Sequence, residues 1–307
     1  STFGMVLSFA VSYTIIILFM IIYLKPFKNS IKQNLIKKES TILLLLRYSI
    51  PLIPNSIAWW ITNISDRLII SVMLGSNSNG IYAIAYKIPT VLTIIYGIFN
   101  LAFQQTAVEV LSDNDSKIYF NRLINQVIEF IFSASYVVIA STPLFYIYFI
   151  NEKYYSGLSC VFILLYGVLF LCLGQFMGSI LLAKKESKII GITTIFSSLL
   201  NLILNIIFIP IYGIIAAAFT TTISYILMFI FRFSKLHDVL YISQIIIKIC
   251  IYSSIYIIMS FIVNIIKVNR IENIIIFLIS FCLFLFINKG IIHNIILSKI
   301  SGGINNE

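Results

Sequence analysis

The stretch GLSCVFILLYGVLFLCLGQFMGSILLA, residues 157–183, contains 27 residues and no charged side chain. An α-helix rises 1.5 Å per residue, so a helix of this length crosses the roughly 30 Å of hydrocarbon in a bilayer. A strand of a transmembrane β-barrel would be about ten residues long and would alternate polar with apolar residues. The stretch does neither, and it therefore predicts a membrane-spanning helix.

The rest of the chain has the same character. Of its 307 residues, 60% are hydrophobic and 10% are charged, whereas soluble domains carry roughly a quarter charged residues. Comparable apolar runs recur along the sequence and predict an all-α, polytopic membrane helix bundle of about nine transmembrane helices. The predicted spans are 4–24, 48–74, 81–107, 124–150, 157–183, 189–209, 214–234, 244–266 and 273–288.

The net charge of +10 could suggest a nucleic-acid partner, but the basic residues lie in short clusters between apolar runs. Such clusters orient membrane proteins, with Lys and Arg on the cytoplasmic side. One set of alternate loops carries Lys25, Lys28, Lys32, Lys37, Lys38, Arg47, Lys117, Arg122, Lys184, Lys185, Lys188, Arg232, Lys235, Lys289 and Lys299. The other set carries only Lys153, Lys267 and Arg270. We expect a multi-pass membrane protein with a cytoplasmic C-terminus and no nucleic-acid partner.

The segment LLRYSIPLIPNSIAWWITNISDRLIISVMLGSNSNGIYAIAYKIP, residues 45–89, carries a distinctive set of features. These are Pro51 and Pro54 at the start of a long helix, Trp59 and Trp60, the triplet Ser65-Asp66-Arg67, an exit at Gly75, and then Gly80-Ile81-Tyr82 with Lys87. As a set, they resemble the polysaccharide flippases, the O-antigen (Wzx-type) transporters of the multidrug/oligosaccharidyl-lipid/polysaccharide (MOP) exporter superfamily.

The resemblance implies two six-helix lobes that enclose a central cavity. Residues 45–235 then correspond to the C-terminal lobe, 1–24 to the last helix of an otherwise missing N-terminal lobe, 25–44 to a basic cytoplasmic linker, and 236–307 to two additional transmembrane helices and a cytoplasmic tail. Because the chain begins with Ser and shows only one full lobe, we expect it to be the C-terminal portion of a longer protein. The implied function is to flip undecaprenyl-diphosphate-linked oligosaccharide, the repeat unit of O-antigen or capsule, by alternating access.

Polar and aromatic residues recur along the span 48–74 at steps of three and four, which predicts a single stripe on the helix that faces a cavity. Asp66 is expected to pair with Lys87 across the hairpin, since neighbours on one helix do not face each other. Arg67 is then left as a spare cation for a diphosphate, or alternatively extends to the outer headgroups. The candidate substrate-binding residues are Asn55, Trp59, Trp60, Asn63, Asp66, Arg67, Tyr86, Lys87, Asn100 and Gln104.

Small and polar residues on the second helix of the hairpin, and Asn201 with Asn205 in a later span, either face the cavity or hold helices together. Asp66 and Glu129 are the candidates for ion coupling, because an intramembrane carboxyl group can take up a proton. Lys248, near the end of its span, is expected to extend to the interface.

The sequence shows no metal-binding, phosphate-loop or nucleophile motif, so we expect a transporter without cofactors or metal. The expected partners are the lipid-linked oligosaccharide, membrane lipids and other membrane proteins of polysaccharide assembly. Two alternatives remain open. One is another exporter of the same superfamily, for a drug or a different lipid, and the other is a membrane-embedded polysaccharide polymerase or acyltransferase.

Overall fold

The computed structural model describes residues 2–24, 50, 52–265, 270–290 and 293. The linker predicted at 25–44 and most of the C-terminal tail lie outside these residues. The described elements are α1 (Thr2–Leu24), α2 (Leu52–Val110), α3 (Ser116–Phe149), the short 3₁₀ helix η1 (Glu152–Gly157), α4 (Leu158–Ala183), α5 (Ser187–Tyr212), α6 (Ile214–Ser234), α7 (Ile242–Ile265) and α8 (Arg270–Ile287).

The described helices have the length and composition of membrane spans. Six of them, α2 to α7, contain segments long and apolar enough to cross a bilayer, and shorter apolar helical segments lie in α1 and α8. The prediction of a polytopic helical membrane bundle is confirmed. Helix α1 belongs to a separate compact unit, Ser1–Arg47, and all the other elements belong to Tyr48–Glu307. The second unit contains every candidate site residue.

Helix α2 contains two of the predicted spans and reverses direction between them. Gly75 has φ 85° and ψ 169°, a positive φ that glycine adopts without steric strain. The Tyr82 hydroxyl lies 2.9 Å from the Asp66 carboxylate, whereas residues sixteen apart in a straight helix would be about 24 Å apart. The chain therefore folds back at Gly75, and we call its two limbs α2a (52–74) and α2b (76–110).

This reversal corrects the predicted loop at 75–80. Residues 76–80 are helical, and Gly75 alone leaves helical geometry within α2. With α2 counted as two limbs, the described elements correspond to the nine predicted spans. The small polar residues of GSNSNG were interpreted as a connection, but they extend the start of α2b by a turn and a half instead.

Helix α4 forms the centre of the bundle. Most of its residues are buried, and it packs against α6 and α2, while α5 packs against α2 and α6. A Cβ added at Gly167 would lie 2.7 Å from Thr222 Oγ1 and 3.0 Å from Thr222 Cα, so glycine lets the backbones of α4 and α6 approach closely. Small residues serve this purpose at helix contacts in membranes, where apolar burial alone drives no association. Helix α3 packs against α7 and α8.

Arg232 was counted among the cytoplasmic loop cations, but the structure buries it in the last turn of α6. Its side chain is 2% exposed. The guanidinium donates to the Gly174 carbonyl at 2.9 Å, to Thr194 Oγ1 at 2.7 Å and to Thr193 Oγ1 at 3.1 Å. A Cβ at Gly178 would lie 2.9 Å from Arg232 Nη1. Arg232 therefore joins α4, α5 and α6 near one end of the bundle.

Candidate functional site

The predicted polar stripe on α2a is divided between two faces of the helix. Adjacent residues in an α-helix are rotated by about 100°, so paired polar positions cannot point the same way. Asn55, Trp59, Thr62 and Asp66 are half-buried or buried, whereas Ser56, Trp60, Asn63 and Arg67 are exposed. The prediction of one stripe facing one cavity was therefore wrong, and the two sets serve different surroundings.

The exposed set forms a continuous polar and aromatic surface, which we call the α2a stripe (Ser56, Trp60, Asn63 and Arg67). Trp60 is 63% exposed, so its ring lies open at the surface of the described unit. Ile57 and Leu68 are exposed beside this stripe, so polar and apolar side chains share this side of α2a. Exposed faces of other helices, such as Ile192, Phe196 and Ile203 on α5, are apolar, as expected for contact with lipid.

Asp66 points into the bundle and is 3% exposed. Its Oδ2 accepts hydrogen bonds from the Tyr82 hydroxyl at 2.9 Å and from Thr221 Oγ1 at 2.7 Å. Its Oδ1 accepts from Asn205 Nδ2 at 2.6 Å. All three donors are neutral. They come from α2b, α5 and α6, so the carboxylate joins three helices.

The predicted ion pair between Asp66 and Lys87 is absent. The ion pairs within the described ranges are Lys184 with Glu186, Lys184 with Asp238, and Lys248 with Glu129. Lys87 is exposed and lines a cavity beside α3, whereas Asp66 is turned toward α5 and α6. The prediction correctly placed the two residues on facing limbs, but sequence spacing did not reveal the rotation of each limb.

A buried polar cluster surrounds Asp66. Asn201 Nδ2 donates to Thr221 Oγ1 at 3.1 Å, and its Oδ1 accepts from Asn205 Nδ2 at 3.1 Å and from Ser65 Oγ at 3.3 Å. Thr220 Oγ1 donates to Asn205 Oδ1. Buried polar groups are costly unless they are hydrogen-bonded, and these groups satisfy one another. The sequence indicated Asn201 and Asn205 by their spacing of four, but we did not anticipate Thr220 and Thr221 as their partners.

Arg67 lies on the other side of α2a, against α2b. Its guanidinium carbon is 5.6 Å from the centre of the Tyr86 ring, which is within cation–π distance. The Tyr86 ring thus contacts the Arg67 guanidinium, which stays exposed and takes part in no ion pair among the described residues. An exposed guanidinium without an ion-pair partner can bind the oxygens of a phosphate.

Two of the remaining candidates on α2a and α2b, Asn100 and Trp59, make contacts between helices. Asn100 Oδ1 accepts a hydrogen bond from Ser179 Oγ of α4 at 2.9 Å. Trp59 packs near Tyr225, with ring centroids 6.4 Å apart. Asn55 and Gln104 are half-buried. For Asn100 the structure therefore favours packing between helices, which was one of the two interpretations left open by its spacing.

Glu129 and Lys248 form an ion pair between α3 and α7, with Oε1 and Nζ 2.7 Å apart. Both side chains are partly exposed. The sequence analysis did not anticipate this pairing, and the expectation that Lys248 extends to the interface stays a prediction. Because Lys248 already neutralises Glu129, Asp66 is the stronger of the two candidates for ion coupling.

Comparison with known proteins adds family information for part of the chain. Residues 2–113, which include both limbs of α2, match the family model described as "Polysaccharide biosynthesis protein". An uncharacterized membrane protein of Methanocaldococcus jannaschii, MJ1068, is 26% identical over 237 residues, which is 74% of this chain and 45% of that protein.

A solved structure is similar to this chain in fold. The lipid II flippase MurJ, in an inward closed conformation, matches with a TM-score of 0.63 and 17% identity over 84% of this chain and 56% of that one. A MOP superfamily transporter from Pyrococcus furiosus matches with a TM-score of 0.46 and 18% identity, over 62% of this chain and 44% of that one. The chain spans about half the length of these relatives. It shares its helical fold with part of MurJ, and residues 2–113 match the sequence pattern of a polysaccharide biosynthesis protein.

Proposed function

We propose that this chain belongs to a flippase that carries undecaprenyl-diphosphate-linked oligosaccharide across a bacterial inner membrane, for O-antigen or capsule assembly. The observation that carries the proposal is the exposed α2a stripe. An Arg and an Asn facing hydrocarbon would be strongly unfavourable, so this face of a membrane helix meets water, protein or a polar ligand. The match of the same segment to polysaccharide biosynthesis proteins supports a sugar-bearing ligand.

The chemistry of the α2a stripe suits such a ligand. A diphosphate offers oxygens that the planar guanidinium of Arg67 can bind in pairs. The exposed ring of Trp60 can stack against a sugar, and Asn63 lies between the two along the helix. The polar head would follow this face while the polyprenyl chain stays in the bilayer. Trp59, which packs near Tyr225, has a structural role in this proposal.

A single exposed face does not enclose a pathway, so the proposal includes a second surface that covers the α2a stripe. In the exporter superfamily that the sequence resembles, this surface is a second six-helix lobe, and rocking of the two lobes gives alternating access. The full natural polypeptide is therefore the form in which transport is to be measured. Other membrane proteins of polysaccharide assembly would supply the lipid-linked sugar and consume it.

Asp66 supplies a site for coupling to an ion in this proposal. Its hydrogen-bond donors are all neutral, and it forms no ion pair within the described part of the chain. Binding of a proton or of a monovalent cation would neutralise the carboxylate in the membrane interior. Asp66 joins α2a to α2b, α5 and α6. A change of charge at Asp66 would therefore act on the packing of α2a against α2b, the two limbs between which Arg67 lies.

The test is a flipping assay with the full natural polypeptide in proteoliposomes. A fluorescent undecaprenyl-diphosphate oligosaccharide is placed in both leaflets, and we measure the fraction that becomes accessible to an external quencher. We expect protein-dependent flipping that Trp60→Ala slows several-fold. The matched control is Ile203→Ala, which removes an exposed side chain from the apolar face of α5. Absence of flipping by the folded protein, or equal rates in the two variants, would overturn the proposal.

A further inference from the structure

A cavity of about 900 Å³ lies between α2b and α3. Its wall is mostly apolar, with Ile84, Ile88 and Val91 from α2b, Val138 and Phe145 from α3, and Phe277 from α8. Ser141 and Thr142 also line it, but their hydroxyls donate to the Val138 carbonyl of their own helix at 3.0 and 2.6 Å. The cavity therefore suits a hydrocarbon chain rather than a polar molecule.

Among the described residues that line this cavity, Lys87 is the one with a charged side chain. It is exposed, and none of the ion pairs in the described part of the chain involves it. Asn151 and Tyr154, which follow the end of α3, contribute to the same lining. The cavity thus combines an apolar wall with a cation, and its lining reaches past the end of α3.

A second, smaller cavity of about 290 Å³ lies farther along the same two helices. It is lined by Ile95, Tyr96 and Phe99 of α2b and by Leu123, Gln126, Val127, Phe130 and Ile131 of α3. Val91, Ile95 and Phe99 recur every four residues, so both cavities lie on one face of α2b. From Ile84 to Phe99 a helix rises about 22 Å. One leaflet contributes about 15 Å of hydrocarbon, so an acyl chain can lie along this cleft, by which we mean the two cavities together.

We propose that the cleft binds one anionic glycerophospholipid of the bilayer, with its phosphate at Lys87 and an acyl chain between α2b and α3. The charges favour this occupant. A phosphodiester carries one negative charge, which the single cation of the described lining matches, whereas a diphosphate carries at least two. Two other cations do not line the cavity: Arg67 lies against the Tyr86 ring, and Lys153 lies over the ring of Tyr154. This inference goes beyond the proposed transport. It assigns Lys87 to a lipid site, whereas the sequence analysis had placed Lys87 among the candidate substrate-binding residues with Arg67.

Native mass spectrometry of the purified full polypeptide tests this inference. The protein is delipidated in detergent and titrated with phosphatidylglycerol or phosphatidylethanolamine of identical acyl chains. We expect one retained phosphatidylglycerol and weaker retention of phosphatidylethanolamine. A cation near the membrane surface favours an anionic lipid by about fivefold. Lys87→Ala should therefore remove most of the preference, and Lys87→Arg should keep it.

Two further variants separate the cleft from the general surface. Val91→Trp places a large ring in the cleft at an exposed position, and it should lower the retention of both lipids. Lys153→Ala removes a lysine that lies over the Tyr154 ring, 4.7 Å from its centre, and it should leave retention unchanged. Equal retention of both lipids by the wild type, or unchanged retention in Lys87→Ala and Val91→Trp, would overturn the proposal. So would displacement of phosphatidylglycerol by undecaprenyl-diphosphate oligosaccharide that depends on Lys87, because the cleft would then belong to the transported lipid.

Discussion

The Tyr82 hydroxyl donates to the Asp66 carboxylate at 2.9 Å, across the reversal of α2 at Gly75. This hydrogen bond joins the two limbs of α2 to the same carboxylate that Asn205 and Thr221 bind from α5 and α6. Asp66 therefore has two separable properties. It accepts hydrogen bonds that hold helices together, and it is a titratable group that forms no ion pair with a cation of the described residues.

Substitution of Asp66 is expected to separate these properties. Asp66→Asn keeps the shape and one carbonyl acceptor, so most of the packing should survive, while ion-dependent flipping should be lost. Asp66→Ala leaves the hydroxyls of Tyr82 and Thr221 without their acceptor and removes one of the two acceptors of Asn205 Nδ2. Each buried unpaired group costs about 1–3 kcal/mol. We expect a clearly lower unfolding temperature for Asp66→Ala than for Asp66→Asn, measured on purified protein in one detergent.

Thr221→Val serves as the control for Asp66. It removes one donor to the carboxylate and keeps the side-chain shape and the titratable group, so flipping should still depend on the ion gradient. If Asp66→Asn flips substrate with unchanged ion dependence, Asp66 is a structural residue only.

Gly178→Ala should destabilise the bundle. The added Cβ would lie 2.9 Å from Arg232 Nη1, and the guanidinium cannot move without losing its hydrogen bond to the Gly174 carbonyl. Overpacking of this kind costs about 1–3 kcal/mol. Gly97→Ala is the matched control, because nothing lies within 4 Å of its Cβ position and alanine favours a helix by about 1 kcal/mol. A lower unfolding temperature for Gly178→Ala alone would support this role of Arg232. Equal temperatures would contradict it.

The spans could be predicted from the sequence because a membrane helix needs only length and the absence of charge, both of which are local properties. The environment of Asp66 could not be predicted in the same way. Its partners Asn205 and Thr221 lie 139 and 155 residues away, and the rotation of α2a that selects them depends on packing against other helices. The adjacent polar pairs of α2a look alike in sequence, and only that rotation assigns one member of each pair to the interior.

The interaction between Lys184 and Asp238 predicts a small dependence of stability on pH. The hydrogen bond from Lys184 Nζ, at 2.7 Å, lowers the pKa of the Asp238 carboxyl group. The pKa of an aspartate carboxyl group in the unfolded chain is about 3.9. Because folding lowers the pKa of Asp238, the interaction stabilises the folded protein at a pH above that value, and the stabilisation is lost as the pH falls through the folded pKa. Asp238 is 50% exposed, so solvent screening keeps the contribution below about 1 kcal/mol.

Asp238→Asn should therefore lower the unfolding temperature slightly at about pH 7 and remove the difference from wild type at strongly acidic pH. Glu109→Gln is the matched control, because Glu109 is exposed and takes part in no ion pair among the described residues. A difference between Asp238→Asn and wild type that is the same at both pH values would contradict the assigned pKa.

The orientation in the membrane is predicted by the distribution of Lys and Arg and can be tested with single cysteines. Ser76 and Ser156 are exposed near the end of the bundle that contains Gly75, and Lys188 is exposed at the start of α5. In a background without the native cysteines, the Ser76→Cys and Ser156→Cys variants should react with a membrane-impermeant maleimide in intact cells. The Lys188→Cys variant should react only after permeabilisation. The reverse pattern would place the C-terminus outside the cell.

Arg67 gives the most direct test of the α2a stripe. If it binds phosphate oxygens, lysine preserves the charge but not the paired geometry, so flipping should decrease in the order wild type, Arg67→Lys, Arg67→Ala. Loss of charged hydrogen bonds of about 1.5–3 kcal/mol lowers a rate roughly ten- to a hundredfold where they act at the limiting step. Tyr86→Phe keeps the ring under the guanidinium and is the control for packing. Should Arg67 instead extend to the outer headgroups, both Arg67 variants would flip substrate at the wild-type rate at matched abundance in the membrane, and the α2a stripe would lose its proposed role.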